Sequence, residues 1–201
     1  MHMLQIKRDR DYEGYMPDNR ALGNCFTIYD EKSYYHYEFE INDKEAKVKY
    51  DSILYIKEAI KEFRKYNQQV SSFYNENRTF YQGFDPIFTF KLPIDILQPT
   101  EFFIDEQKLD TIEKYLGNET LYVPVCIIDD EYVLLDGHAR VRYLQDNYVK
   151  MVDVYLAEPK EYTQDVIYIA KENNLFKIKQ MEILPHEEYL KYLEQSFGVE
   201  D

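Results

Sequence analysis

Tryptophan is absent from this 201-residue chain, cysteine occurs only twice and glycine six times. Cys25 and Cys126 lie far apart and form no CxxC pair or zinc-type spacing. A thiolate metal site or a disulfide framework is therefore not the organising feature. Cys126 sits in the apolar run 123–128 and reads as a buried core thiol. Basic residues are also scarce: 24 Lys and Arg face 38 Asp and Glu, for a formal charge of −14 and a pI near 4.7. Phosphate contacts need a basic face, so this is not a chain built to coat nucleic acid, and DNA is not expected as a partner. No apolar run approaches the ~18 residues of a membrane span, and the N-terminus has no signal-peptide core. A cytoplasmic protein without a membrane partner is expected. There is no G-x-S-x-G, H-E-x-x-H or Walker A run, and no internal repeat.

What is abundant is aromatic and amphipathic sequence. Tyrosine occurs 21 times and phenylalanine 12 times, with 45% hydrophobic and 31% charged residues. That balance is globular, and at this length roughly 70% of the unfolded surface can be buried without a staple.

Residues 1–23 are polar and punctuated by Gly14, Pro17 and Gly23, which predicts a loop or loosely ordered arm. Residues 25–29, 34–41 and 46–50 alternate and are rich in aromatic and β-branched side chains, so strands are predicted, with a turn at Asn42-Asp43. Asp51-Ser52 reads as the cap of a helix whose Ile53, Ile56, Ile60 and Phe63 form one core-facing stripe. His36 reads as a partly exposed sheet residue. Residues 67–91 read as a connector, with Arg78 and its aromatic neighbours as a candidate flap over a core pocket.

From residue 92 the pattern sharpens. A strand is predicted over 92–97, closed by Gln98-Pro99-Thr100. Asp105 caps a helix with Leu109, Ile112 and Leu116 on one face, stopped at Gly117-Asn118. Residues 122–128 and 132–135 read as a hairpin around Asp129-Asp130, and Asp136-Gly137 breaks into a helix over 138–147. A strand follows over 151–156. Two helices are predicted over 162–173 (Val166, Ile169 and Ala170 on one face) and 186–197, the latter starting at His186 after Pro185.

The Asp136-Gly137 turn carries the chemistry. A strand that runs through a tight glycine turn straight into a helix aims backbone N–H groups at one point, and the helix dipole adds positive charge there. Gly137 lets the backbone approach a ligand closely. Arg140 can grip phosphate oxygens with its planar fork, His138 can donate to phosphate, and Asp136 can hold magnesium or orient a hydroxyl. An ordinary strand–turn–helix has the same short pattern, so the order of elements around the turn has to decide.

That order resembles the ParB/sulfiredoxin superfamily over residues 92–156. The resemblance rests on Leu92-Pro93-Ile94-Asp95-Ile96-Leu97-Gln98-Pro99, then a helix, then Val123-Pro124-Val125 and Tyr132-Val133-Leu134-Leu135-Asp136-Gly137-His138-Ala139-Arg140. It implies an α+β fold: a small mixed sheet flanked by helices, preceded by an extra N-terminal α+β subdomain. Four segments are then expected. They are a polar arm over 1–23, an N-terminal strands-plus-helix subdomain and connector over 24–91, a nucleotide-binding core over 92–156, and C-terminal helices packed on that core over 157–201.

Branches of the superfamily differ at the turn. Sulfiredoxins carry Gly-Cys-His-Arg; here the register reads Gly137-His138-Ala139-Arg140, without the attacking cysteine. Partition ParB proteins carry Gly-Glu-Arg-Arg, which is also absent. The Asp-Gly-His-x-Arg turn is most similar to free-serine-kinase-like enzymes. That resemblance implies phosphoryl transfer from a nucleotide (ADP, ATP or CTP, with Mg) to a small hydroxyl substrate such as free L-serine. It implies Glu101 as base, Thr100 as a substrate-binding residue, Asp136 as metal or hydroxyl holder, and Gly137, His138, Ala139 and Arg140 as the phosphate-binding turn. Ala139 replaces the second histidine of the family's His-His form. The alternatives are a non-catalytic nucleotide-sensing or protein-interaction module and, more weakly, a DNA-partition accessory factor.

Overall fold

The computed structural model describes residues 4–116 and 120–197. The helix stop expected at Gly117-Asn118 lies outside the described residues. The chain is α+β and divides into two compact units. One comprises residues 1–87 with 115–120, the other residues 88–114 with 121–201.

The first unit is a six-stranded sheet in sequential order: β1 (Gln5–Arg8), β2 (Cys25–Tyr29), β3 (Tyr34–Asn42), β4 (Glu45–Tyr50), β5 (Ser72–Tyr74) and β6 (Phe80–Gly83). Neighbours are antiparallel except β4 and β5, which run parallel. A parallel pair needs a crossover, supplied by α2 (Ile56–Arg64). α2 buries Ile56, Ala59, Ile60 and Phe63 among Phe26, Ile28, Phe39, Val48 and Phe73.

Three readings of this part are corrected. Residues 1–23 are not a loop arm: β1 pairs with β2, and α1 (Pro17–Leu22) follows. With Ile6 as its only strongly apolar residue, β1 carries almost no periodic signal. The helix after Asp51 starts later than predicted, leaving Ile53 exposed, because the Asp51 carboxylate is taken by His36 and the Tyr55 N–H donates to the Tyr37 hydroxyl. Residues 72–74 and 80–83 complete the sheet instead of connecting units, and Arg78, in the loop between them, forms an exposed pair with Glu45.

The second unit is a four-stranded mixed sheet ordered β10 (Glu131–Leu134), β9 (Tyr122–Ile128), β11 (Met151–Leu156), β7 (Thr89–Pro93). β9 and β11 are parallel; the outer pairs are antiparallel. α4 (His138–Asp146) makes the crossover to β11. α3 (Glu106–Tyr115), α5 (Thr163–Glu172) and α6 (His186–Phe197) are the remaining helices, and β8 (Phe103–Asp105) pairs in parallel with β12 (Glu182–Leu184). The core is aliphatic: Leu92, Ile94, Leu97, Ile104, Val123, Val125, Leu134, Val141, Val152 and Val154. This is the small mixed sheet flanked by helices that the sequence predicts.

Its details differ in three places. The first strand ends at Pro93, and Ile94–Ile96 form a 3₁₀ turn, with the Ile94 N–H on the Lys150 carbonyl. β8 and β12 escape sequence reading, being three residues each and paired across a long stretch of chain. α5 is turned from its expected face: Thr163, Ile167 and Ala170 are buried and Ile169 is exposed. Among the described residues no helix is long and apolar enough to cross a membrane.

Candidate functional site

β10 ends against Leu135 and Asp136, and the chain turns through Gly137 at φ 87° and ψ 22°, in the left-handed region. Glycine tolerates that conformation; other residues strain. A β-carbon there would also meet Val123 Cγ1 at 3.0 Å and the Arg140 guanidinium at 3.2 Å. Gly137 is the N-cap of α4 and offers no side chain to it. In helix geometry the N–H groups of His138, Ala139 and Arg140 then have no intrahelical acceptor. They sit where the helix dipole is positive.

Residues 98–101 lie beside this turn. The Gln98 N–H donates to the Tyr132 carbonyl and the Gln98 carbonyl accepts from Leu134, a parallel bridge that lays the segment along β10. The buried Gln98 side chain ties it further to the Leu175 carbonyl at 3.0 Å. Thr100 Oγ1 donates to the Leu134 carbonyl at 2.8 Å, and the Thr100 N–H donates to His138 Nε2 at 3.0 Å.

The last bond orients the His138 ring, with Nε2 toward the Thr100 amide and Nδ1 toward Glu101. Nδ1 lies 3.3 Å from Glu101 Oε1, off-line for a well-formed hydrogen bond. The His138 side chain has no exposed surface. It therefore braces the Thr100–Glu101 segment against the turn, and His138 offers a ligand its backbone N–H.

The Glu101 side chain keeps 42% exposure. Burial of its carboxyl group raises its pKa, but His138, Lys108 and Arg140 together pull it the other way, leaving Glu101 below the ordinary glutamate value. It is ionised at neutral pH. Asp136 and Arg140 form an i,i+4 pair at 3.2 Å, about half and a quarter exposed. Ala139 occupies the first turn of α4 and packs partly on the core.

Sequence reasoning missed Lys108, Tyr189 and Tyr192. Lys108 Nζ donates to the Tyr189 hydroxyl at 3.1 Å and lies 4.7 Å from that ring's centre. Burial foremost, then the charges of Tyr189 and Glu101, push the Tyr192 hydroxyl up. Two tyrosines among 21 on a C-terminal helix carry no signal of their own. At the start of that helix, His186 Nδ1 meets the buried Asp105 carboxylate at 2.9 Å.

Among the described residues no group of three or more His, Cys, Asp or Glu side chains is placed to hold a metal ion. The turn groups unpaired helix-start N–H donors and the Arg140 guanidinium, with the ionised Glu101 carboxylate fastened next to them.

No family model matches the chain, and no curated protein matches it. Among solved structures, a protein from Agrobacterium tumefaciens is similar at 18% identity over 57% of this chain and 71% of its own, with a TM-score of 0.38. The C-terminally truncated chromosome-partitioning protein ParB from Caulobacter crescentus, complexed with CTP-gamma-S, is similar at 22% identity over 56% of this chain and 66% of its own, with a TM-score of 0.32.

Proposed function

We propose that the second unit is a nucleotide-binding domain of ParB/sulfiredoxin type that transfers a phosphoryl group to a small alcohol. Free L-serine is the acceptor the turn motif suggests. The observation that carries this reading is the His138 brace. It brings Glu101, 37 residues away in sequence, beside the N-terminus of α4 and holds it through Thr100.

The terminal phosphates of the nucleotide accept hydrogen bonds from the N–H groups of His138, Ala139 and Arg140. Arg140 exchanges Asp136 for phosphate oxygens. Glu101 accepts the proton of the acceptor hydroxyl as its oxygen forms the new bond to phosphorus. The bridging P–O bond breaks, and the shortened nucleotide leaves with the electron pair. Arg140 and the turn's N–H groups stabilise that charge. Thr100, anchored to Leu134 and His138, fixes the acceptor side. Magnesium arriving with phosphates needs only one or two protein carboxylates. Asp136 would hold it, and the ion would neutralise phosphate charge.

The test is a phosphorus NMR product assay with ADP, ATP and CTP separately, on wild type and Glu101→Gln. Product from serine or a related alcohol is expected, falling about 10²–10⁴-fold in the variant, with nucleotide affinity little changed. Nucleotide binding without any phosphorylated product overturns the transferase and leaves a sensing module. Equal rates in both proteins reject Glu101 as the base.

A further inference from the structure

The first unit carries a cleft that the phosphotransferase reading does not use. It has a volume of about 650 Å³, and its lining includes Lys7, Asp9, Tyr12, Tyr29, Tyr34 and His36. That volume is in the range of small-molecule sites. The register explains its shape. Gln5, Tyr29 and Tyr34 form one row across β1, β2 and β3, and Lys7, Thr27 and His36 form the next. Both rows lie on one face of the sheet, while Ile6, Ile28, Tyr35 and Tyr37 turn to the other, into the core under α2.

Each row carries a ring pair. Tyr29 and Tyr34 stack with centroids 4.8 Å apart, and Tyr12 stacks on His36 at 3.7 Å. The two pairs lie in rows two residues apart along the strands, roughly 6.8 Å, close enough for one flat ring to contact both. The walls are held in place. The Asp51 carboxylate accepts from both the backbone N–H and Nδ1 of His36, at 3.1 and 2.8 Å. Buried Asp9 accepts from the Asp11 and Tyr12 N–H groups and from the Thr27 hydroxyl, pinning the loop that lays Tyr12 over His36. Such pre-organisation lowers the entropic cost of binding.

The charge selects the ligand. Asp9 and Asp11 line the cleft, Asp51 backs His36, and the Lys7 ammonium is already paired with Asp11 at 3.0 Å. A phosphate would meet net negative potential here, whereas a neutral or cationic ring would not. With Nδ1 held by Asp51 at 2.8 Å, Nε2 is the His36 nitrogen placed to meet a polar edge of a ligand ring. We infer that this cleft binds a planar heteroaromatic ring free of phosphate, neutral or singly cationic, between the Tyr29–Tyr34 and Tyr12–His36 pairs.

Titration calorimetry of the full chain with adenosine, cytidine and N1-methylnicotinamide tests this, with the His36 ring protons followed by NMR. At least one probe is expected to bind more tightly than about 1 mM and to shift the His36 signals. Tyr34→Ala, at a 64% exposed position that folding does not depend on, and His36→Ala should each weaken it about tenfold, the scale of one lost ring stack. A preference for adenosine or cytidine identifies a nucleoside, and a preference for the pyridinium identifies a cation; either supports the site. No binding by any probe overturns it. So does binding that leaves the His36 signals unmoved or is equal in wild type and Tyr34→Ala.

Discussion

At the residue scale, the site depends on one glycine and one histidine that do opposite things. Gly137 is needed for what it lacks: no β-carbon fits at φ 87° with Val123 Cγ1 at 3.0 Å. Gly137→Ala should lower stability by about 1–2 kcal/mol from left-handed strain alone, read as a lower urea midpoint at unchanged slope. His138 is needed for its two nitrogens, one accepting from Thr100 and one facing Glu101. Glu101 has its own pH signature. Its folded pKa lies below the ordinary value, so its contribution is present above the unfolded pKa of about 4.3. It is lost as pH falls through the lower folded value. Melting temperatures from pH 6 to 3 should therefore drop less steeply in Glu101→Gln than in wild type. Equal slopes would mean that the carboxylate gains nothing from its neighbours. The motif D-G-H-x-R is legible in the sequence, but the inward direction of the His138 ring is not, because it depends on the Thr100 amide arriving from another part of the chain.

Short elements decide where long ones go. The β9–β10 hairpin turns on Asp129 and Asp130, at φ 51° and 63°, the mirror-image two-residue turn that suits strand twist. Glycine at the second position removes about 1–2 kcal/mol of left-handed strain and restores roughly 0.5–1 kcal/mol of unfolded-chain entropy. Asp130→Gly should thus stabilise the fold slightly, by about 0.5–1 kcal/mol, in equilibrium unfolding. Asp105 closes a longer circuit. Its Oδ1 accepts from the Gln107 N–H at the start of α3 and its Oδ2 meets His186 at the start of α6. The cap on α3 is readable from an aspartate before an amphipathic run. The partner on α6 is not, since no local rule couples residues 81 apart.

On the scale of the whole molecule, the two units are built on different cores. The first is aromatic, with Phe39 stacked on Phe63 at 4.1 Å and Phe26 and Phe73 edge-on to the same ring. The second is aliphatic. Phe63→Ala removes the centre of the aromatic cluster and should cost about 3–5 kcal/mol in chemical denaturation; a loss under 1 kcal/mol would show that the cluster collapses around the gap. Charge is also unevenly spread: residues 1–87 carry 13 Lys and Arg against 15 Asp and Glu, so most of the −14 belongs to the rest of the chain. By itself the sequence determined the elements whose signal is local. These are β2, β3, β4, β9, β11 and α4, where side-chain period and turn chemistry act within a few residues, and the glycine turn into α4. Tertiary structure decided what depends on distant pairing. It recruited β1, β5 and β6 into the first sheet, joined β8 to β12, delayed α2 by committing Asp51 to His36, and set Glu101 beside the turn. The physical reason is that a three- or four-residue strand has too few side chains to declare a period. Its hydrogen-bonding partner, and hence its existence, is supplied by segments the local sequence does not contain.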